Sequence, residues 1–265
     1  MPLINWKMFF NAWKIQGEYL KDFPLTLNEK KLENWVDNIK DKDKPKAEEA
    51  ISLYREASEI MDKLRKPGKF DGAGIIRFEK AIGEPNSFKV KNLEFPMLRQ
   101  QLADSDFLSC ADFVGENDYL GFFAVTAGRN IQNLIKEFEL EGDTYRSLIA
   151  QTLADRIVEA SSEWLQLLVS ENYMEVKIRP AWGYPMLPDQ LLIHQTKELL
   201  PYEDIGVILT ENGAMYPPSS ISGLYISNPD AKYFMVGKIG EDQMEDYAVR
   251  RSLSIEKVKD LLRQI

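Results

Sequence analysis

The chain has 265 residues, with 33 basic against 42 acidic side chains and a net charge of −9. The acid excess argues against a phosphate-backbone partner, because affinity for nucleic acid rests on clustered Lys and Arg that release counterions. No stretch approaches the ~18 apolar residues of a membrane span, and the start, MPLINWKMFF, lacks the apolar run and small-residue cleavage site of a signal peptide. A single cysteine, Cys110, excludes an intramolecular disulfide, as a reducing compartment favours. The expectation is a cytoplasmic protein with no nucleic-acid and no membrane partner.

In chain order, aromatic residues are dense from Asn5 to Trp13 (Trp6, Phe9, Phe10, Trp13), which reads as an arm packed on the body or as plain core filling. Leu32, Trp35, Val36 and Ile39 recur at helical spacing. A mixed-charge turn follows, and Pro45 is placed to start the next helix. That helix presents Ala47, Ala50, Ile51, Tyr54, Met61 and Leu64 on one side and ends in Lys63, Arg65, Lys66, Pro67 and Gly68. Cations belong at the negative end of a helix dipole, and the Pro-Gly pair stops the helix. Between Gly72 and Thr126 the period shifts to short β-rich runs, at Gly74–Phe78, Ala111–Val114 and Leu120–Thr126. Helical spacing returns at Ile131, breaks at Gly142-Asp143 and resumes in a long amphipathic helix from Tyr145 to Leu168. A Pro/Gly-rich turn over 179–188 precedes a short helix around Leu191–Leu200. Strands near Ile221–Ser227 and Lys232–Lys238, joined by Asn228-Pro229-Asp230, read as a hairpin. The C-terminal part is helical, with Ser254 as N-cap. Strands and helices are grouped and not strictly alternating, so the fold class is α+β: a single domain over 1–265 with a mostly antiparallel twisted sheet flanked by helices.

Much familiar chemistry is missing. Gly72-Ala73-Gly74 lacks a third glycine at the right offset and there is no Walker-type loop. The only histidine, His194, has no second histidine or cysteine pair to make a metal site, and no G-x-S-x-G elbow frames a serine for it to activate. Asp155 and Glu159, one helical turn apart with Arg156 beside them, are either a solvated charged face or an acid/base pair if that face is buried. The segment Arg179-Pro180-Ala181-Trp182-Gly183-Tyr184-Pro185 is harder to explain as packing. Two prolines fix the backbone, a glycine admits close approach, and an arginine at the entrance can grip a carboxylate. A second such segment runs from Ala214 to Gly223, with Tyr233 and Phe234 beyond it. Ligand binding and purely structural turns both remain open on these residues alone.

In these motifs the chain resembles the activation (reactivation) domain of cobalamin-dependent methionine synthase. The resemblance is carried by Arg-Pro-Ala-x-Gly-Tyr-Pro at 179–185 and by Leu209-Thr210-Glu211 through Gly223. It continues through Lys232-Tyr233-Phe234 and Asp242-Gln243-x-Glu245-Asp246-Tyr247-Ala248-x-Arg250-Arg251. Leu98-Arg99-Gln100-Gln101, Ala111-Asp112-Phe113-Val114, Ala124-Val125-Thr126, Leu153-Ala154-Asp155-Arg156 and the arm around Trp6 and Phe9-Phe10 extend it over essentially the whole chain. The resemblance implies an S-adenosylmethionine-binding accessory protein in methionine biosynthesis. It would serve reductive reactivation, in which cob(II)alamin on a methyltransferase is reduced by one electron and remethylated from S-adenosylmethionine. Implied partners are a cobalamin-binding methionine synthase module met in trans, which alone brings the cobalamin, and flavodoxin or an equivalent reductant. The resemblance also implies that the chain is a component of that system and not catalytic alone.

The resemblance also implies site residues. Arg179 would bind the methionyl carboxylate. Ala181, Gly183 and Tyr184 would shape the turn against the ligand, Tyr233 and Phe234 would lie beside it, and Asn5 and Glu159 match positions near it. Asn5 stands where the family has an aspartate, Gln190 where it commonly has histidine, and the connection from Ser170 to Arg179 is shorter than usual. These departures imply weaker binding and keep a rival in view, a non-catalytic module of the same fold that docks on a corrinoid protein with S-adenosylmethionine binding weakened or lost. Lys63, Arg65, Lys66 and Lys69 are either a docking patch for an acidic electron donor or an ordinary helix terminus.

Overall fold

Asn5 opens the first helix. Its side-chain oxygen accepts the Met8 N–H at 3.0 Å and so caps α1 (Trp6–Ala12), satisfying one of the donors that a helix start leaves open. Asn28 caps α2 (Glu29–Asp37) in the same way through the Lys31 N–H. Pro45 lies in the first turn of α3 (Lys44–Arg65), where its missing N–H is not needed, and the six apolar residues expected on one side of that helix are all buried. The Asp71 carboxylate accepts the Arg129 and Asn130 N–H groups, each at 3.0 Å, at the start of α4 (Arg129–Leu140). Gly142, at φ 75°, ends that helix just before α5 (Thr144–Asn172).

The computed structural model describes residues 3–262. Helices α1 to α4 and α5 as far as Ser161 make one of two compact units, Met1–Ala73 with Ala127–Ser161. Inside it the aromatic arm is core. Trp6 packs edge-on to Tyr54 at 4.7 Å, Phe10 lies 4.9 Å from Phe23, and Phe9 and Phe10 have no exposed surface. Each such pair contributes about 0.5–1.5 kcal/mol beyond its buried area.

The second unit, Gly74–Thr126 with Ser162–Ile265, holds the sheet. Its strands are β1 (Ala73–Glu84), β2 (Ser87–Val90), β3 (Leu93–Pro96), β4 (Asp118–Thr126) and β7 (Ser220–Tyr225), in the order β3-β2-β1-β4-β7. A separate two-stranded ribbon pairs β5 (Ile208–Leu209) with β6 (Met215–Tyr216). The β1/β2, β2/β3 and β4/β7 pairs are antiparallel, so the architecture is the expected α+β fold on an antiparallel sheet. Alternation along β4 and β7 sends Phe122, Ala124 and Leu224 into a core with Phe88, Phe95 and Trp182 and turns Phe123 and Tyr225 to the opposite face. A smaller core of Leu98, Val236, Ile239, Tyr247 and Val258 joins α6 (Glu241–Arg251) to α7 (Ile255–Leu261), the latter capped by Ser254 as expected. Among the described residues no helix is long and apolar enough to cross a membrane.

Two local expectations are corrected, and a third, the short helix around 191–200, is found as a 3₁₀ helix. Ala111–Val114 is not a strand. Residues Cys110–Phe113 form a 3₁₀ turn in which Ser109 accepts the Ala111 N–H while Asp112 accepts the Ser109 N–H at 2.8 Å. The helix after the Pro/Gly-rich turn, Gln190–Glu198, is likewise 3₁₀. Finally, 232–238 is not the second strand of a hairpin, because the edge of β7 that it would need is taken by residues 177–182.

Candidate functional site

Sheet pairing builds the 179–188 turn. The Leu224 N–H donates to the Pro180 carbonyl at 2.9 Å, the Trp182 N–H to Ser222 at 3.0 Å and the Ile226 N–H to Ile178 at 3.1 Å, so the chain enters the turn antiparallel to β7. Proline suits this edge because Pro180 supplies only an acceptor. Gly223 is required opposite it, since a Cβ there would sit on the Pro180 carbonyl oxygen and 2.8 Å from the Ala181 Cα. Gly183, at φ 80°, reverses the chain. Its N–H donates to Leu187 and the Leu187 N–H donates back to Tyr184, both at 2.8 Å.

Side chains from the recurring motifs hold the surroundings in place. Asp189, 1% exposed, accepts the Leu191 N–H on one oxygen at 2.9 Å; its other oxygen takes the Tyr247 hydroxyl at 2.8 Å and the Arg251 Nε at 2.6 Å. Burial, reinforced by the Asp189 charge, pushes the Tyr247 phenol well above its ordinary range, so it stays a donor. Gln243 clamps the Arg99 backbone through both amide atoms, at 2.7 and 2.9 Å, and the Arg99 guanidinium grips Asp112 with two bonds at 2.6 and 2.7 Å. Gln100 donates to the Met235 carbonyl at 2.8 Å, Gln101 accepts the Gly240 N–H at 2.6 Å, and the Val236 N–H donates to Pro185 at 2.9 Å. The 232–240 segment is therefore positioned against the turn without a strand ladder.

Arg179 stands at the entrance, partly buried. Its backbone N–H donates to the Tyr233 hydroxyl at 2.7 Å, and its guanidinium lies 6.0 Å above the Phe123 ring, which stacks on Tyr225 at 4.6 Å. The Arg179 Nη1 is buried with no hydrogen-bond partner. Tyr184 and Tyr233 are 53% and 61% exposed. A cavity of about 640 Å³ borders the far side of the turn, lined by Gly183, Tyr184, Gln190, Met235 and Lys257 among others. An unsatisfied cationic donor beside exposed rings and a rigid backbone edge is suited to an anionic headgroup.

The model of one family, described as vitamin B12 dependent methionine synthase, activation domain, matches residues 1–252. The chain belongs to this family. Among solved structures, the MetH reactivation domain bound to AdoHcy resembles it at 30% sequence identity and a TM-score of 0.82, over 98% of this chain and 85% of that one.

In this activation domain the structure brings Arg179, Ala181, Gly183 and Tyr184 onto one turn and bonds Tyr233 to it. Phe234 is partly buried and points towards Phe113, 6.3 Å away, with its neighbour Tyr233 outermost. Asn5 and Glu159 belong to the other compact unit. There Asn5 is engaged as a helix cap, Glu159 is partly buried and Asp155 is exposed. Lys63 lies over the Phe138 ring at 4.9 Å and Arg65 pairs with Asp62 at 2.8 Å, contacts in keeping with a helix terminus. His194 meets the Glu211 carbonyl at 3.2 Å. Cys110 is fully buried and its thiol is pushed up to about 12, which keeps it protonated. Among the described residues no cluster of three or more His, Cys, Asp or Glu is placed to hold a metal ion. Two residues escape sequence reasoning: Asp189, whose only signal is a lone acid after Pro188, and Tyr225, which reads as an ordinary strand position.

Proposed function

We propose that this activation domain binds S-adenosylmethionine at the Arg179–Tyr184 turn and serves the reductive reactivation of a cobalamin-dependent methionine synthase. The observation that carries the reading is the buried, unpartnered Arg179 Nη1, in a chain whose relative is described as bound to AdoHcy. Bound S-adenosylmethionine supplies an electrophilic methyl group on its sulfonium. Arg179 donates to the ligand's carboxylate, a charge-assisted bond of about 1.5–3 kcal/mol. Ala181 and Gly183 present a backbone edge with no bulky side chain in the way. The Tyr184 and Tyr233 rings flank the ligand, and a ring face near the sulfonium adds about 0.5–2 kcal/mol. Phe234, packed inward, fixes the place of Tyr233. The cobalamin arrives on a methionine synthase module in trans, and the electron comes from flavodoxin or an equivalent reductant.

Calorimetric titration with S-adenosylmethionine tests the site. Wild type binds, and Arg179→Ala weakens binding about 10- to 150-fold with an unchanged circular dichroism spectrum; equal affinity in the two proteins contradicts the assignment. In a second arm, the chain with reduced flavodoxin and S-adenosylmethionine restores turnover to cob(II)alamin-loaded methionine synthase lacking its own activation domain. A docking module without the ligand is the second reading. It is favoured by Asn5, a neutral side chain already engaged with the Met8 N–H, and a chain that binds the corrinoid protein but gives no heat with S-adenosylmethionine would establish it.

A further inference from the structure

The Phe123 ring has two polar neighbours. The Arg179 guanidinium lies over it at 6.0 Å, and the Tyr225 ring stacks on it at 4.6 Å, nearly parallel; the Ile178–Ile226 and Ala181–Gly223 pairings put Arg179 directly across from Tyr225. Tyr225 has no exposed surface, and its hydroxyl, like the Arg179 Nη1, is buried without a hydrogen-bond partner. Other buried hydroxyls in this unit, Ser162 apart, find partners: the Tyr202 hydroxyl meets both Thr196 and Ser222, at 2.6 and 2.8 Å, and the Ser222 hydroxyl donates to the Phe123 carbonyl at 2.8 Å. A phenylalanine at 225 would keep the stacking and the burial and would avoid desolvating a hydroxyl, which costs stability when nothing answers it. A hydroxyl kept at that cost, next to a second unanswered donor, marks a place where an acceptor enters.

From this geometry we infer that Tyr225 is a specificity-determining residue of the ligand site, its hydroxyl donating together with the Arg179 Nη1 to one carboxylate. The inference rests on the reading of the Arg179 turn given above. Burial raises the Tyr225 phenol above its ordinary range, the nearby Arg179 charge acting against this, so the group remains a protonated donor at neutral pH. Arg179, partly exposed, is the open side of the pair. Two convergent donors select ligands that carry an amino-acid carboxylate over those that end at the thioether, because a ligand without the acceptor leaves both donors unpaired.

The test compares wild type, Arg179→Ala and Tyr225→Phe by calorimetry with three probes, S-adenosylmethionine, S-adenosylhomocysteine and 5′-methylthioadenosine, alongside thermal melting. The expected result for Tyr225→Phe is a melting temperature equal to or above wild type. Its affinity for the two carboxylate-bearing ligands falls about tenfold to a hundredfold, while that for 5′-methylthioadenosine does not change. Unchanged affinity for S-adenosylmethionine in Tyr225→Phe, with Arg179→Ala weakened, overturns the role of Tyr225 and leaves the Arg179 site standing. Equal losses for all three probes also overturn it, and a wild type that binds none of them overturns both readings.

Discussion

Arg179 and Arg251 meet the two ends of the same turn, and the protein treats their guanidinium groups in opposite ways. Arg251 is closed against the fold: its side chain is 10% exposed, its Nε is 2.6 Å from Asp189, and Tyr247 completes the carboxylate's partners. Arg179 contributes its backbone N–H to Tyr233 but keeps a buried Nη1 without a partner. A cation answered by its own chain holds structure together, whereas one with an open, desolvated donor is prepared for a ligand. The difference explains why one motif can contain both scaffold and site.

Breaking the closed end is expected to have the largest effect. Arg251→Met leaves the Asp189 charge buried with only Tyr247 and the Leu191 N–H for company, which costs about 3–5 kcal/mol and lowers the melting temperature by about 6–20 °C for a chain of this size. A shift below about 2 °C would show that the Asp189–Arg251 pair is not a structural anchor. Arg179→Ala, the counterpart at the open end, is expected to leave stability within about 1 kcal/mol and to act on ligand affinity instead. A large fall in melting temperature for Arg179→Ala would erase the contrast. Gly223→Ala tests the backbone that both ends share. The new methyl pushes Pro180 and Ala181 off β7 at a cost of about 1–3 kcal/mol, seen as faster amide exchange at Leu224 and Ile226. The smallest expected effect is in the other unit, where Asn5→Ala removes the α1 cap for about 1 kcal/mol and Asn5→Asp, which keeps the cap oxygen, does not destabilise. Urea unfolding of the two variants separates these outcomes.

Local rules made much of this legible in the sequence. Apolar spacing and Pro45 locate α3, Gly142 locates the break between α4 and α5, and a short β-rich run locates β4. The motif residues 179–185 correctly single out the turn, because two prolines and a glycine around an arginine restrict the backbone whatever surrounds it. What stayed hidden depends on distant partners. β2 and β3 are four residues each, too short for a period to register. The 232–238 segment has the composition of a strand, yet it lies beside the turn without a ladder, because residues 177–182 occupy the β7 edge, while Gln100 holds the Met235 carbonyl and Gln101 the Gly240 N–H just beyond it. Nor does any sequence pattern say that Asp189 would be buried with Arg251, or that the hydroxyl of Tyr225 would go unanswered beside Arg179.

The central claim is that the Arg179 donor exists to receive a ligand's carboxylate, and a crystal structure of this chain with AdoHcy tests it most directly. The account predicts the homocysteine carboxylate within hydrogen-bonding distance of Arg179 Nη1, with the Tyr233 ring beside the thioether. A ligand seated elsewhere, or an Arg179 side chain that does not touch it, would contradict the account.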